Sequence, residues 1–284
     1  MIIQKAYKFR FYPTKEQELQ LSQEFGNARF VWNYSLALRS KAYAENNEKH
    51  NYVSLSKKIT ELKANPDYNW LNNSTSCVMQ QKLIDLDKAY SNFFAKRSNY
   101  PTFKKKLHSQ SIRYQLDQRN IKSTYEKGEF LKIPKLGYIN IKWSQIPQGI
   151  PKMATISKAS SGKYFVSFMC QVEHVPLDKT HKEVGIDIGI KDVIVSSDGY
   201  YSGSPKFTYQ YARKLKKESR KLSRKTKGSN RYKKQRIKIA KIHEKIANSR
   251  KDFLHKQTTN IIKNYDVVYL EDLNISGMMK NRKI

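Results

Sequence analysis

Tyr7, Phe9 and Phe11 alternate with Ala6, Lys8 and Arg10 and stop at Pro13, the period-two pattern of a strand with one buried face. Thr14 opens the next segment with Gln17 three residues on, the spacing of a capping box, and Leu21, Phe25, Ala28 and Trp32 then recur at helical intervals. A second helix is predicted around Ile59 and Leu62. A third follows Asn73-Ser74-Thr75 and carries Leu83, Leu86, Tyr90 and Phe94 on one stripe, so residues 14–98 read as a helical module. From about residue 110 the period returns to two. Ile139, Ile141 and Trp143 alternate with Tyr138, Asn140 and Lys142, and Tyr164, Val166, Phe168, Cys170 and Val172 do the same after a turn at 160–163. Short strands punctuated by Gly, Pro and Ser predict a small antiparallel barrel or sheet that the opening strand, residues 2–12, can join.

Beyond residue 183 the order becomes strand, strand, strand, helix, strand. Val184, Ile186, Ile188 and Ile190 alternate through a strand placed at 184–189, a second strand covers 193–196, and Asp198-Gly199 supplies a hairpin turn into a third. A long helical stretch over 213–251 breaks at Gly228-Ser229-Asn230 and keeps Ile239, Ile242 and Ile246 on one packed stripe. Val267, Val268 and Leu270 form a fourth strand ending in acids. Three antiparallel strands, a crossover and a fourth strand returning beside the first is the core order of the RNase H architecture. The expected fold class is α+β and multidomain. Residues 1–13 and 110–182 form the small β-barrel, 14–109 the inserted helical lobe, and 183–284 an α/β domain.

Charge changes the picture more than size does. The 284 residues carry 55 Lys and Arg against 24 Asp and Glu, a net charge of +31, so a polyanion is the leading partner and nucleic acid the commonest one. A membrane surface is the weaker alternative, because no basic amphipathic anchor precedes an apolar one. Cys77 and Cys170 form no CxxC pair, and the histidines show no HExxH spacing. No signal peptide or membrane-spanning run stands out, which predicts a soluble protein of a reducing, intracellular compartment.

The candidate chemistry centres on Asp187, a carboxylate inside an apolar strand. Parity puts it on the face of Gly185 and Gly189, opposite Val184, Ile186 and Ile188, and puts Glu271 on the face of Val267 and Tyr269. If the two strands are neighbours, the carboxylates converge, and a hard divalent cation is the usual means of holding both ionised. From spacing alone, a metal-holding pair and two unrelated surface acids read equally well. The stretch 213–251 holds 18 Lys and Arg against two Glu. That scarcity of acids favours phosphate tracking over a merely solvated face, with Arg213, Lys216, Lys217, Arg220, Lys221, Arg224, Lys225, Arg231, Lys233 and Lys234 as candidates. Lys104, Lys105 and Lys106 form a smaller patch of the same kind. Tyr90, Tyr164, Tyr269, Trp32 and Trp143 read as core residues, and His255 as a helix-packing histidine.

Several motifs carry a resemblance: "YPTKEQ" and "GNARFVWN" near the start, "PTFKKK" at 101–106, "GIDIGIKD" at 185–192, "HEKIANSRKDFLHK" at 243–256 and "YLEDLNISGMMKN" at 269–281. Together they resemble the TnpB family, the OrfB-type proteins of bacterial insertion sequences, related to type V CRISPR effectors. The resemblance implies an RNA-guided DNA endonuclease in which a wedge barrel and a helical recognition lobe hold a guide RNA and a RuvC-type domain cuts target DNA. It implies catalytic, Mg2+-holding roles for Asp187 and Glu271 in a two-ion site, and a place in the bacterial cytoplasm beside the nucleoid. It also implies a third catalytic Asp in a "DRDxNAA" motif and a four-cysteine zinc ribbon, both beyond "LEDLN" and both absent from this sequence. The RuvC-like domain is therefore expected to be truncated and its Mg2+ site incomplete. The alternative expectation is a remnant that binds RNA and DNA without cutting.

Overall fold

β1 (Ile2–Tyr12) buries Tyr7, Phe9 and Phe11 and turns Lys8 and Tyr12 outward, as its alternation requires. In this computed structural model, residues 1–106, 110–116, 131–149, 151–189 and 191–273 are described; Ile190 of the predicted strand and residues 274–281 of the last motif lie outside them. β1 is central to a six-stranded, nearly closed barrel-like sheet with β2 (Gln110–Gln115), β3 (Leu131–Ile133), β4 (Gly137–Lys142), β5 (Met153–Lys158) and β6 (Tyr164–Glu173). The order is β2-β5-β6-β1-β4-β3, with every pairing antiparallel. Tyr7 pairs with Phe168, Phe9 with Val166 and Phe11 with Tyr164, so inward positions face one another across the ladder. The turn before β6 closes through the Ala159 amide donating to the Lys163 carbonyl at 2.8 Å.

The helices enter between β1 and β2. Thr14 and Gln17 form the predicted capping box at the start of α1 (Lys15–Asn46), and the Gln17 amide also donates to the carbonyls of Leu136 (3.1 Å) and Tyr138 (2.8 Å). One residue thus ends the helix and ties it to the barrel. The first half of α1 buries Leu21, Phe25 and Ala28 in the barrel core. Its second half buries Val31, Trp32 and Leu36 against α2 (Tyr52–Ala64), a 3-10 segment (Pro66–Asn73) and α3 (Ser76–Phe94). The buried Glu24 carboxylate accepts from Ser74 Oγ (2.5 Å), Thr75 Oγ1 (2.8 Å) and the Thr75 amide (2.9 Å), which sets a negative charge at the N-terminus of α3. Phe94 stacks on Tyr90 of its predicted stripe, with ring centroids 6.2 Å apart, but is 71% exposed. Tyr100 packs edge-on to Tyr90 at 5.5 Å and shares a 2.9 Å hydroxyl hydrogen bond with it.

Met1–His174 forms one compact unit and Val175–Ile284 a second, a division ahead of the expected one at 182/183. The second unit holds a three-stranded sheet of order β8-β7-β9, made of β7 (Glu183–Asp187), β8 (Val195–Ser196) and β9 (Val267–Leu270). β8 runs antiparallel and β9 parallel to β7. The strand returning after the crossover does lie beside the first. Two details differ from the sequence pattern. β7 ends at Asp187 rather than 189, and the predicted third strand is a single bridge from Val195 to Tyr201 after the Asp198-Gly199 turn. Between β8 and β9 lie α4 (Phe207–Ser223) and α5 (Asn230–Asn264). The helices break where Gly228 takes φ +89° and Ser229 caps α5 by accepting from the Tyr232 amide at 3.1 Å. They extend beyond 213–251 on both sides because Phe207 packs edge-on against Phe253 and Ile261 reaches the sheet core. No helix among the described residues is long and apolar enough to cross a membrane.

Candidate functional site

Register decides whether the two acids meet. Val184 pairs with Val268, Gly185 with Tyr269 and Ile186 with Leu270, so one step further along both strands stand Asp187 and Glu271. Val184 and Ile186 are buried with Ile194, Ile261, Tyr265 and Val268 beneath the sheet. Asp187, the last residue of β7, is exposed, and so is Glu271, one residue past the end of β9. The Tyr269 hydroxyl donates to Glu183, four residues before Asp187, at 3.0 Å. Tyr269, expected in the core, is instead 58% exposed, and Leu270 of the opposite parity is 60% exposed. Gly185 adds no side chain beside Asp187, and its amide donates to Ser197 Oγ at 3.1 Å. Carboxylate oxygens are the donors that Mg2+ and Ca2+ prefer. Among the described residues no set of three or more His, Cys, Asp or Glu side chains could hold a metal ion.

Asp266, which no sequence motif singles out, ties the segments that enter β7 and β9 to each other. Its carboxylate accepts from the amides of Thr180 (3.0 Å) and His181 (2.8 Å) and from Thr180 Oγ1 (3.1 Å), while its own amide donates to the Lys182 carbonyl at 2.9 Å. The segment entering β7 is thereby clasped to the residue entering β9. An acid directly before an apolar strand was the available signal. The amide hydrogen bonds from Thr180 and His181 hold the Asp266 carboxyl below its ordinary value of 3.8. A depressed carboxylate pKa stabilises above the unfolded value and ceases to as pH falls through the folded one. Protection of the Thr180 and His181 amides, taken as the slowing of exchange relative to an unfolded chain at the same pH, should therefore hold at neutral pH and fall away below 3.8, and Asp266→Asn should lower it at neutral pH.

The basic helices form an antiparallel hairpin. Phe207, Tyr211, Leu215 and Leu222 turn half-buried toward α5, where Ile242 and Ile246 are buried and Ile239 is half-buried. Gln235 Nε2 donates to the Glu218 carbonyl (3.0 Å) and carboxylate (2.7 Å), and Lys221 pairs with Glu218 at 2.9 Å; these bonds hold the Glu218 carboxyl below the usual range. With that acid engaged, Arg213, Lys216, Lys217, Arg220, Arg224, Arg231, Lys233 and Lys234 stand exposed; Lys225 is half-buried and Lys221 is tied to Glu218. Lys105 and Lys106 are exposed as well. Lys104 is not a free surface lysine: its ammonium lies 3.4 Å from the Trp32 ring centroid, and Asn33 holds its backbone on both sides at 2.8 and 3.0 Å. His255, expected to pack, is exposed on α5, since Phe253, Gln257 and Ile261 occupy the half-buried side of that helix.

Comparison with known proteins identifies the family. Residues 167–282 match the OrfB_IS605 family, described as "probable transposase", and residues 1–48, here one strand and one continuous helix, match the companion OrfB_IS605 "helix-turn-helix domain". The chain is 36% identical over 284 residues to a Streptomyces pristinaespiralis protein named "putative RNA-guided DNA endonuclease", covering 99% of this chain and 70% of that one. It is 35% identical over 282 residues to the similarly named InsQ of Escherichia coli K12, covering 98% of this chain and 68% of InsQ. Among solved structures, a chain of the Cas12f1-sgRNA-target DNA complex shares the fold with a TM-score of 0.54 at 12% identity, over 96% of this chain and 81% of that one.

Proposed function

The chain belongs to the OrfB family of IS605-type insertion sequences, the TnpB family, and on that premise we propose that it is an RNA-guided DNA endonuclease. What supports the nuclease half of this reading is the parallel pairing of β7 with β9, which brings Asp187, the last residue of β7, and Glu271, the residue after β9, to the same end of adjacent strands. We read the second unit as RuvC-like, with these two carboxylates as the Mg2+ ligands that the described residues provide. Mg2+ bound there would stabilise the attacking and leaving oxygens of phosphodiester hydrolysis. The protein's own part is positional: β7 and β9 hold the two carboxylates in parallel register, Asp266 fixes the entry to both strands, and Gly185 leaves the face clear. The helical hairpin follows the phosphates of RNA or DNA with its exposed cations.

A second reading has its own observation. Among the described residues no three His, Cys, Asp or Glu side chains come together, which favours a protein that binds guide RNA and target DNA and cuts slowly or not at all. Both readings share one test. The chain is purified with the RNA it retains, that RNA is sequenced, and matched and unmatched DNA duplexes are compared in gel shift with and without Mg2+. Tighter binding of matched DNA supports RNA guidance, and equal binding of both duplexes refutes it. Mg2+-dependent strand breaks select the first reading, and a shift without breaks the second.

The hairpin makes a separate prediction. Replacing Arg213, Lys217, Arg220 and Arg224 together by Gln should flatten the slope of log affinity against log salt by about 0.7–0.9 for each phosphate left without its cation. An unchanged slope in a filter-binding titration would show that α4 faces away from the nucleic acid.

A further inference from the structure

The first unit contains a confined space lined by positive charge that the nuclease face does not use. Arg29 on α1, Lys82 on α3, Lys104 and Lys105 on the following segment, and Gln110 and Ser111 on β2 surround a cavity of about 40 Å3. Lys82 is only 5% exposed, and its partner Asp85 (2.9 Å) is shared with Arg113 (3.1 Å). Among the described residues no carboxylate pairs with Arg29, Lys104 or Lys105. The acids are outnumbered around a confined volume, and like charges held this close repel one another. Lys104 registers the strain: burial first, then the charge of Lys82, pushes its pKa down to about 8. An entering anion reverses both effects, because it pairs the cations and supplies acceptors for their buried hydrogens.

Size and geometry narrow the anion. The cavity has room for more than one water, for which about 10–15 Å3 of such space is enough, yet it does not enclose a nucleobase. Arg29 offers a planar fork suited to two phosphate oxygens, the ammonium groups offer point charges, and Gln110 and Ser111 offer neutral donors. We propose that this cavity is a phosphate clamp that takes one phosphate group of a polynucleotide backbone, gripped between Arg29 and Lys104 with Lys82 behind and Lys105 at the rim. The clamp joins α1, α3 and β2, so its occupation also braces the helices against the barrel. It deepens the reading of the chain as a nucleic-acid-binding protein and rests on it, since the same chemistry would accept a free phosphate ion.

Two measurements on the full chain separate these sources. In the first, a short uridine oligonucleotide is titrated against wild type, Arg29→Gln, Lys104→Gln and the exposed control Lys41→Gln over a range of salt. The clamp predicts that each of the first two flattens the salt slope by about 0.7, the single-strand value for one phosphate, while Lys41→Gln does not. In the second, Lys104 is acylated near its depressed pKa and its labelling rate is followed by mass spectrometry, with the oligonucleotide or inorganic phosphate present. Protection of Lys104 by the oligonucleotide, with labelling of Lys41 unaffected, supports the clamp without relying on any variant's folding. Wild-type slopes in both variants with no protection of Lys104 overturn it while leaving nucleic-acid binding elsewhere intact. Protection by inorganic phosphate alone overturns the polynucleotide assignment. Failure of wild type to bind the oligonucleotide at all sinks the broader functional reading as well.

Discussion

Asp187→Ala should lose the divalent-cation site on the β7–β9 face and, with it, any Mg2+-dependent cleavage. Even outer-sphere partners of metal ligands contribute about 10–100-fold to affinity or activity. A directly ligating carboxylate should therefore exceed about tenfold in Mn2+ affinity and about a hundredfold in cleavage rate. Glu271→Ala should match it, because Glu271 follows Leu270, the parallel partner of Ile186, as Asp187 follows Ile186. Mn2+ binding followed by electron paramagnetic resonance reads the site whether or not the chain cuts. Both substitutions should leave folding intact, since each removes an exposed carboxylate and leaves Val184 and Ile186 in their core. RNA affinity should also stay at the wild-type level. Undiminished Mn2+ binding in both variants would mean that these acids are unrelated strand ends.

Phe168→Ala should be the most damaging single change to the barrel, at about 3–5 kcal/mol. Phe168 is fully buried, opposite Tyr7 on β1 and Ala154 on β5, with the rings of Phe9 and Trp143 each 6.0 Å away. Ala154 is already small and the ladder holds the backbone in register, so the walls cannot collapse into the vacated space. The Trp143 ring is stacked on Phe168 at 13°, which makes tryptophan fluorescence during urea unfolding the suitable probe of this unit. Phe168→Leu, which restores most of the volume, should recover more than half of the stability. A destabilisation below about 1 kcal/mol would indicate a core that can repack.

Local periodicity made most elements readable before any coordinates. A period of two marked β1, β4 and β6; a period near 3.6 marked the stripes of α1 and α3; and Thr14 with Gln17, and Gly228 with Ser229, marked helix ends, because each signal lies within a few residues of chain. Asp187 and Glu271 stood out locally because each is an acid at the end of an apolar strand. The parallel pairing of those strands, some eighty residues apart in the chain, came only with the fold, because no local pattern carries that register. The errors have the same origin. Tyr269 was placed in the core, yet both it and Leu270 are exposed on β9; Phe94 keeps its stacking on Tyr90 but stays at the surface; His255 sits on the solvent side of a helix whose other side was already filled. Lys104 shows the limit most directly. In the chain it is one of three consecutive lysines, and its difference from its neighbours arises because Trp32 and Asn33, some seventy positions earlier, draw it inward beside Lys82. Short-range repetition writes a residue's secondary structure into the chain; its electrostatic environment comes from whichever distant groups folding brings against it.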